Sequence, residues 1–287
     1  MAQSQVTETT VERFIERRGE KIKIRKWTKP RIWLYVTFSV LLIITLYQLV
    51  FMEYSRNFVP QESFSRFFND LYRMFFEPRM TRFNLQGLID SILITIGLGI
   101  LTTLAGSLIA FFVSLGAARN LSNRHVSNGI RVVMSIFRAV PAILWVMVFG
   151  IVVGLGAEAA IIGMSFHSIA YLVKAYSESF EELDEGIIEA LKASGASWWQ
   201  IVFQAVLPSS ISSILSWTFI RFEINFMNAI AVGAAVGAGG IGYELFIAGS
   251  FYSDIYEIGV IVYASLITAG ILEFISFQLR KRYIVKD

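Results

Sequence analysis

Arg221, Asn225 and Asn228 stand at i, i+4 and i+7, which puts a guanidinium and two amides on one side of a helix. His167, Tyr171 and Lys174 repeat the spacing in another apolar stretch, and Arg138 lies in a third, three residues before Pro141. Ionisable groups inside apolar segments are costly, and they usually face a bundle interior or a water-filled path. A guanidinium suits an oxyanion there, because its planar donor fork engages two oxygens at once. The chemistry these residues offer is weak anion binding along a passage. Each also has a structural alternative: Arg138 and Arg221 snorkel to lipid headgroups or pair with Glu223, and His167 is an interhelical hydrogen-bonder. Glu223 is about 200° around the helix from Arg221, so it is expected to face elsewhere and pair with a neighbouring helix.

Covalent chemistry finds little support. No nucleophile–base set and no metal-ligand cluster emerges, so neither a catalytic residue nor a metal site is expected. The absence of cysteine excludes disulfides, thiolate metal sites, cysteine nucleophiles and a lipoprotein anchor. Gly237-x-Gly239-x-x-Gly242 fits a dinucleotide fingerprint in letters alone. It follows an apolar helix instead of a strand, so it is read as a decoy. The stretch Gly233–Gly242 is expected to allow tight helix packing.

The elements that must position these residues are membrane helices. Of the 287 residues, 55% are hydrophobic and 16% charged, against about 25% charged in a soluble domain. Ile32–Phe51 runs 20 residues without a charge and Ser91–Ala118 runs 28; about 20 apolar residues suffice to cross the hydrocarbon core. The first of these is too long for a secretory signal, and no cleavage-like site follows. The reading is an all-α integral membrane protein with about six transmembrane helices: Ile32–Phe51, Leu88–Leu115, Arg131–Leu155, Ala159–Lys174, Leu207–Met227 and Ile255–Leu279. Pro141 and Pro208 are expected to kink or start helices.

Three regions follow. Residues 1–31 form a basic cytoplasmic tail suited to anionic lipid, in preference to a nucleic-acid-binding arm. Residues 32–84 hold the first span and an extracytoplasmic amphipathic helix, in which Phe64, Phe67, Phe68, Leu71, Phe75 and Phe76 recur at helical spacing opposite Arg66, Asp70 and Arg73. Residues 85–287 form the main transmembrane domain. With the amino terminus inside, the cytoplasmic segments hold 18 Lys/Arg and the outer ones 5, so both termini are expected in the cytoplasm.

One cytoplasmic connection stands out. After Glu178, Glu181, Glu182, Asp184 and Glu185 comes Gly186-Ile-Ile-Glu189-Ala190-Leu-Lys-Ala193-Ser194-Gly195, a short helix closed by a glycine able to take φ > 0. So short a helix is marginal alone and needs something to dock against. Glu189-Ala190, then Gly195, then Leu207-Pro208 resembles the EAA loop of bacterial ABC importer permeases, although Ala205 replaces the usual isoleucine. The resemblance implies a type I permease fold, with a coupling helix near 181–196 in which Glu189, Ala190 and Gly195 engage a cytoplasmic ATPase.

A longer resemblance spans about Ile136–Leu245: Arg138-Ala-Val-Pro141, Gly154-Leu-Gly156, His167, Arg221-Phe-Glu-Ile-Asn225 and Val236-Gly-Ala-Gly-Gly-Ile-Gly242. It is similar to permeases of the phosphonate ABC transporter family, with Met227-Asn228 where an arginine is common. That family implies a homodimer in a bacterial cell membrane, two ATPase subunits and an extracytoplasmic substrate-binding protein. The cargo would be a phosphonate or related oxyanion, moved by alternating access along Arg138, His167, Arg221, Asn225 and Asn228. This chain has no phosphate loop of the G-x-x-x-x-G-K-[ST] type, so no cofactor is expected on it, and ATP and Mg belong to the partner. The rivals are an ABC permease for another solute such as an amino acid, and an ion-coupled carrier, whose inverted repeat is not seen.

Overall fold

The computed structural model describes residues 15–18, 21–24, 29–51, 60–82 and 84–283. It divides into two units, Met1–Phe64 and Ser65–Asp287.

The first unit contains two short strands. Ile15–Arg18 (β1) and Lys21–Ile24 (β2) pair antiparallel, with Glu16 opposite Lys23 and Arg17 opposite Ile22. Helix α1, Lys29–Phe51, follows, and none of its residues is buried. A helix apolar all round and unburied by its own protein requires lipid. Its Thr45 hydroxyl is satisfied by donating to the Leu41 carbonyl at 2.8 Å.

The amphipathic helix is present as α2, Pro60–Phe76. Within the second unit its end is fastened to the last helix, α11 (Ile255–Tyr283). The Tyr263 hydroxyl donates to the Phe75 carbonyl at 2.7 Å, and the two rings meet edge to face. The backbones touch at Gly259, where an added Cβ would lie 2.1 Å from the Met74 carbonyl oxygen. The α2–α3 connector is bound alongside. Buried Glu257 accepts from the Thr81 hydroxyl, the Arg82 backbone N–H and the Arg82 guanidinium. Partial burial opposes ionisation of nearby Asp254, but the Thr81 hydroxyl and the N–H groups of Glu257 and Tyr256 outweigh it and hold the carboxyl below its ordinary range. Gly259→Ala is expected to cost about 1–3 kcal/mol, the usual penalty of overpacking. The readout is the thermal midpoint of the purified protein, and an unchanged midpoint would mean that this crossing does not hold α2.

The centre of the second unit is a three-helix packing of α3 (Leu85–Ala117), α6 (Ala157–Glu181) and α9 (Leu207–Val236). Between α3 and α6 lies the main correction to the expected spans. Arg131–Leu155 is not one helix: α4 (Arg124–Ala139) and α5 (Ala142–Val153) meet at 89°. Pro141 lacks an N–H and forces Val140 into extended backbone, φ −86° and ψ 124°. Among the described residues, five helices are long and apolar enough to cross a membrane, or six if the bent pair counts as one.

Other spans run past their expected ends. The fourth continues to Glu181 and the fifth to Val236. Upstream, α9 is reached from α8 (Trp198–Ile201) through a π-helical turn, Val202–Val206. At its far end Gly237 adopts φ +65° and the chain folds back as α10, Gly240–Phe246. An added Cβ on Gly242 would lie 1.7 Å from the Ile230 carbonyl oxygen, and the Ile241 N–H donates to the Thr95 hydroxyl at 2.9 Å. The glycine run is thus a helix reversal with close backbone contact.

Candidate functional site

The intramembrane polar residues gather where α9 meets α6 and α3. Arg221 is 2% exposed and Asn225 fully buried. Arg221 Nε donates to Ser168 Oγ at 3.0 Å, and its guanidinium carbon stands 5.1 Å from the Tyr171 ring centroid. Ser168 Oγ is 3.1 Å from Asn225 Oδ1, and Asn225 Nδ2 donates to Thr103 Oγ1 at 2.9 Å. Among the described residues, no carboxylate enters this network. Arg221 Nη2 is buried and without a partner, as is His167 Nδ1. His167 faces the Val140 backbone and lies within electrostatic reach of both Arg221 and Arg138. The break at Val140–Pro141, which a straight span would lack, therefore brings the end of α4 beside this cluster.

The expected residues divide. Arg221 and Asn225 share one network, and His167 and Arg138 flank it. Arg138 also lines a cleft of about 120 Å³ between α4 and α6, with Arg131, Lys174 and Glu178. Asn228 stands apart, in a cavity of about 410 Å³ shared with Glu223, Leu272 and Glu273. It continues the α9 stripe, but the helix beside it there is α11. Glu223 pairs with Arg280 of α11 at 3.4 Å, so it faces away from Arg221 and meets a neighbouring helix, as its angular position requires. Ser168 and Thr103 were not anticipated, because short hydroxyls in apolar helices normally bond their own backbone.

The second constellation is the short helix α7, Glu185–Ala193. Asp184 caps it by accepting from the Gly186 N–H at 2.8 Å. Its other end closes with two bonds, Gly195 N–H to the Lys192 carbonyl and Ala196 N–H to the Leu191 carbonyl, both 3.0 Å. That pattern needs a left-handed residue, and Gly195 has φ +85°. Buried Ile188 anchors the helix in an apolar cluster with Phe180 and Ile201. Glu189 and Ala190 are exposed, and so is Ile187. Ile188 and, in part, Leu191 hold the inner face of the helix, and Ile187 and Glu189 are left on its outer face.

Membrane helices around a buried polar cluster, with a presented helix on the connection after α6, define a transport subunit. The model of the binding-protein-dependent transport system inner membrane component family matches residues 103–282, and the chain belongs to that family. It is an ABC importer permease subunit and a multi-pass membrane protein. Among its relatives is the phosphate-import permease protein PhnE of Mycolicibacterium smegmatis, 32% identical over 66% of this chain and 36% of that protein. Another is the phosphite transport system permease protein PtxC of Stutzerimonas stutzeri, 32% identical over 69% of this chain and 70% of that one. The chain thus spans little more than a third of the first relative's length. The inward-facing MetNI methionine ABC transporter shares the fold, with a TM-score of 0.63 at 20% identity over 72% of this chain and all of that one.

Proposed function

We propose that the chain imports a phosphorus oxyanion, such as phosphite or a phosphonate, as a homodimer on two ATPase subunits that hold ATP and Mg. An extracytoplasmic binding protein delivers the cargo. The observation that carries the substrate is Arg221: a guanidinium wholly inside the membrane domain, with an open donor and, among the described residues, no acid paired with it. A buried charge without a counter-charge is expensive, and an arriving oxyanion supplies one. The site is closed in this conformation, so alternating access would part α6 from α9 to admit the anion. Phosphorus relatives at 32% identity point to the same cargo.

The test is competition. Uptake by the reconstituted complex is measured with labelled phosphite while unlabelled methylphosphonate, phosphate or methionine is added. Competition by the phosphorus anions and none by methionine is expected; the reverse would assign an amino-acid permease.

Topology belongs to the same proposal, with both termini cytoplasmic and Phe64–Phe76 outside. The chain lacks cysteine, so single cysteines introduced at Ser65 and at Gln3, which lies outside the described residues, can be labelled with an impermeant thiol reagent in intact cells. Labelling at Ser65 alone is expected, and labelling at Gln3 alone would invert the topology.

A further inference from the structure

Helix α7 is joined to the membrane helices by three routes of unequal stiffness. On one side the chain leads directly back into α6. On the other it leads to α9, but through the π-helical turn Val202–Val206 and then Pro208. Proline contributes no N–H, and the Ser209 hydroxyl lies 2.8 Å from the Ala205 carbonyl and 2.9 Å from that of Val206, where the ladder is disturbed. π turns and prolines are where helices bend, so this joint is compliant.

The third route is not covalent. The α3–α4 turn, residues 118–123, holds the α7 segment from both flanks. Before α7, Glu181 Oε1 accepts from the Arg119 backbone N–H at 2.6 Å and from Arg131 Nη2 of α4 at 2.5 Å. Arg131 Nε also donates to the Ala117 carbonyl at 2.9 Å, and Asn120 Nδ2 to the Phe180 carbonyl at 2.7 Å. After α7, Trp198 Nε1 donates to the Leu121 carbonyl at 2.9 Å. Ala117, Ala118, Phe180, Ile188 and Ile201 share one buried cluster beneath these bonds. Tight apolar packing and charge-assisted hydrogen bonds resist displacement far better than an open π turn.

We propose that the 118–123 turn carries displacement of Glu185–Ala193 into α3 and α4, with Glu181 and Trp198 as positioning residues at its two grips. The inference rests on α7 being the helix that meets the ATPase. Its consequence is directional. Helix α4 carries Arg138 in its last turn and ends at Ala139, just before the Val140–Pro141 break beside His167, so motion gripped at Glu181 arrives at the edge of the Arg221 cluster.

The test uses the full complex with its ATPase and binding protein, and spin labels on cysteines introduced at exposed Lys192 and Val132. In the otherwise unaltered chain the distance between the labels is expected to stay the same on adding ATP, because α7 and α4 travel together. In the Glu181→Ala, Trp198→Phe double variant the distance is expected to change with ATP. Basal hydrolysis should persist while its stimulation by the binding protein falls about tenfold, the scale of one charge-assisted hydrogen bond. Trp198→Phe alone keeps an aromatic ring while losing the N–H donor and part of the indole surface, and leaves the Glu181 grip in place, so it should shift both readouts in the same direction by less. A distance that changes with ATP in the unaltered chain, or that stays fixed in the double variant with stimulation intact, would overturn the proposal. Failure of the ATPase-docking assignment is separately visible: Glu189→Lys would then leave the ATPase bound and uptake normal, whatever the label distance does.

Discussion

Arg221→Gln is expected to lower oxyanion uptake roughly 10- to 100-fold, the range for losing hydrogen bonds to a charged group, while leaving assembly and binding-protein affinity unchanged. Stability should move the other way or not at all. Arg221 has no carboxylate partner among the described residues, so glutamine removes a desolvated charge without stranding an opposite one. A purely structural arginine predicts instead that uptake and thermal midpoint fall together. Arg221→Lys keeps the charge but loses the planar fork, so it should recover only part of the rate. Glu223→Gln is not expected to rescue Arg221→Gln, since Glu223 pairs with Arg280 on α11. Rescue by that second change, or normal uptake by Arg221→Gln, would remove the arginine from the anion path.

The second large effect is expected at the presented helix. Gly195→Pro should bring uptake to background while the protein still inserts. Proline fixes φ near −65°, against the +85° observed, and removes the N–H that bonds the Lys192 carbonyl. Nothing lies within 4 Å of a Cβ added at Gly195, so the loss comes from the backbone and not from a clash. Gly195→Ala should therefore be milder, near the roughly 1–2 kcal/mol strain of a left-handed alanine. Glu189→Lys reverses an exposed charge without touching the Ile188 anchor. It should weaken co-purification of the ATPase and lower uptake at normal expression. Normal transport and a normal ATPase ratio in both Gly195→Pro and Glu189→Lys would deny α7 a coupling role.

Much of this protein was legible in its residues because the bilayer imposes simple rules. Long charge-free runs had to be helices, since lipid leaves backbone groups no other partner. The spacing of Phe64–Phe76 marked an amphipathic helix, and Gly195 after a short helical run marked a left-handed cap. The angular offset of Glu223 from Arg221 was enough to send it to a different neighbour. Each of these is local, decided within a few turns of one helix.

What only the tertiary structure decided is which faces meet. Pro141 announced a disturbance, but a proline tolerates anything from a slight kink to a corner, and packing against α6 set the 89° bend that carries Arg138 toward His167. Asn228 shares a stripe with Arg221, yet it opens onto a cavity beside α11, because helical spacing specifies direction and says nothing of what stands there. Ser168 and Thr103 joined the cluster for the complementary reason: their hydroxyls are unremarkable until α9 packs against α6 and α3 and brings Arg221 within 3.0 Å of Ser168 and Asn225 within 2.9 Å of Thr103. Periodicity along one helix is a property of the chain, whereas a polar network among three helices exists only once their packing has brought its members within reach of one another.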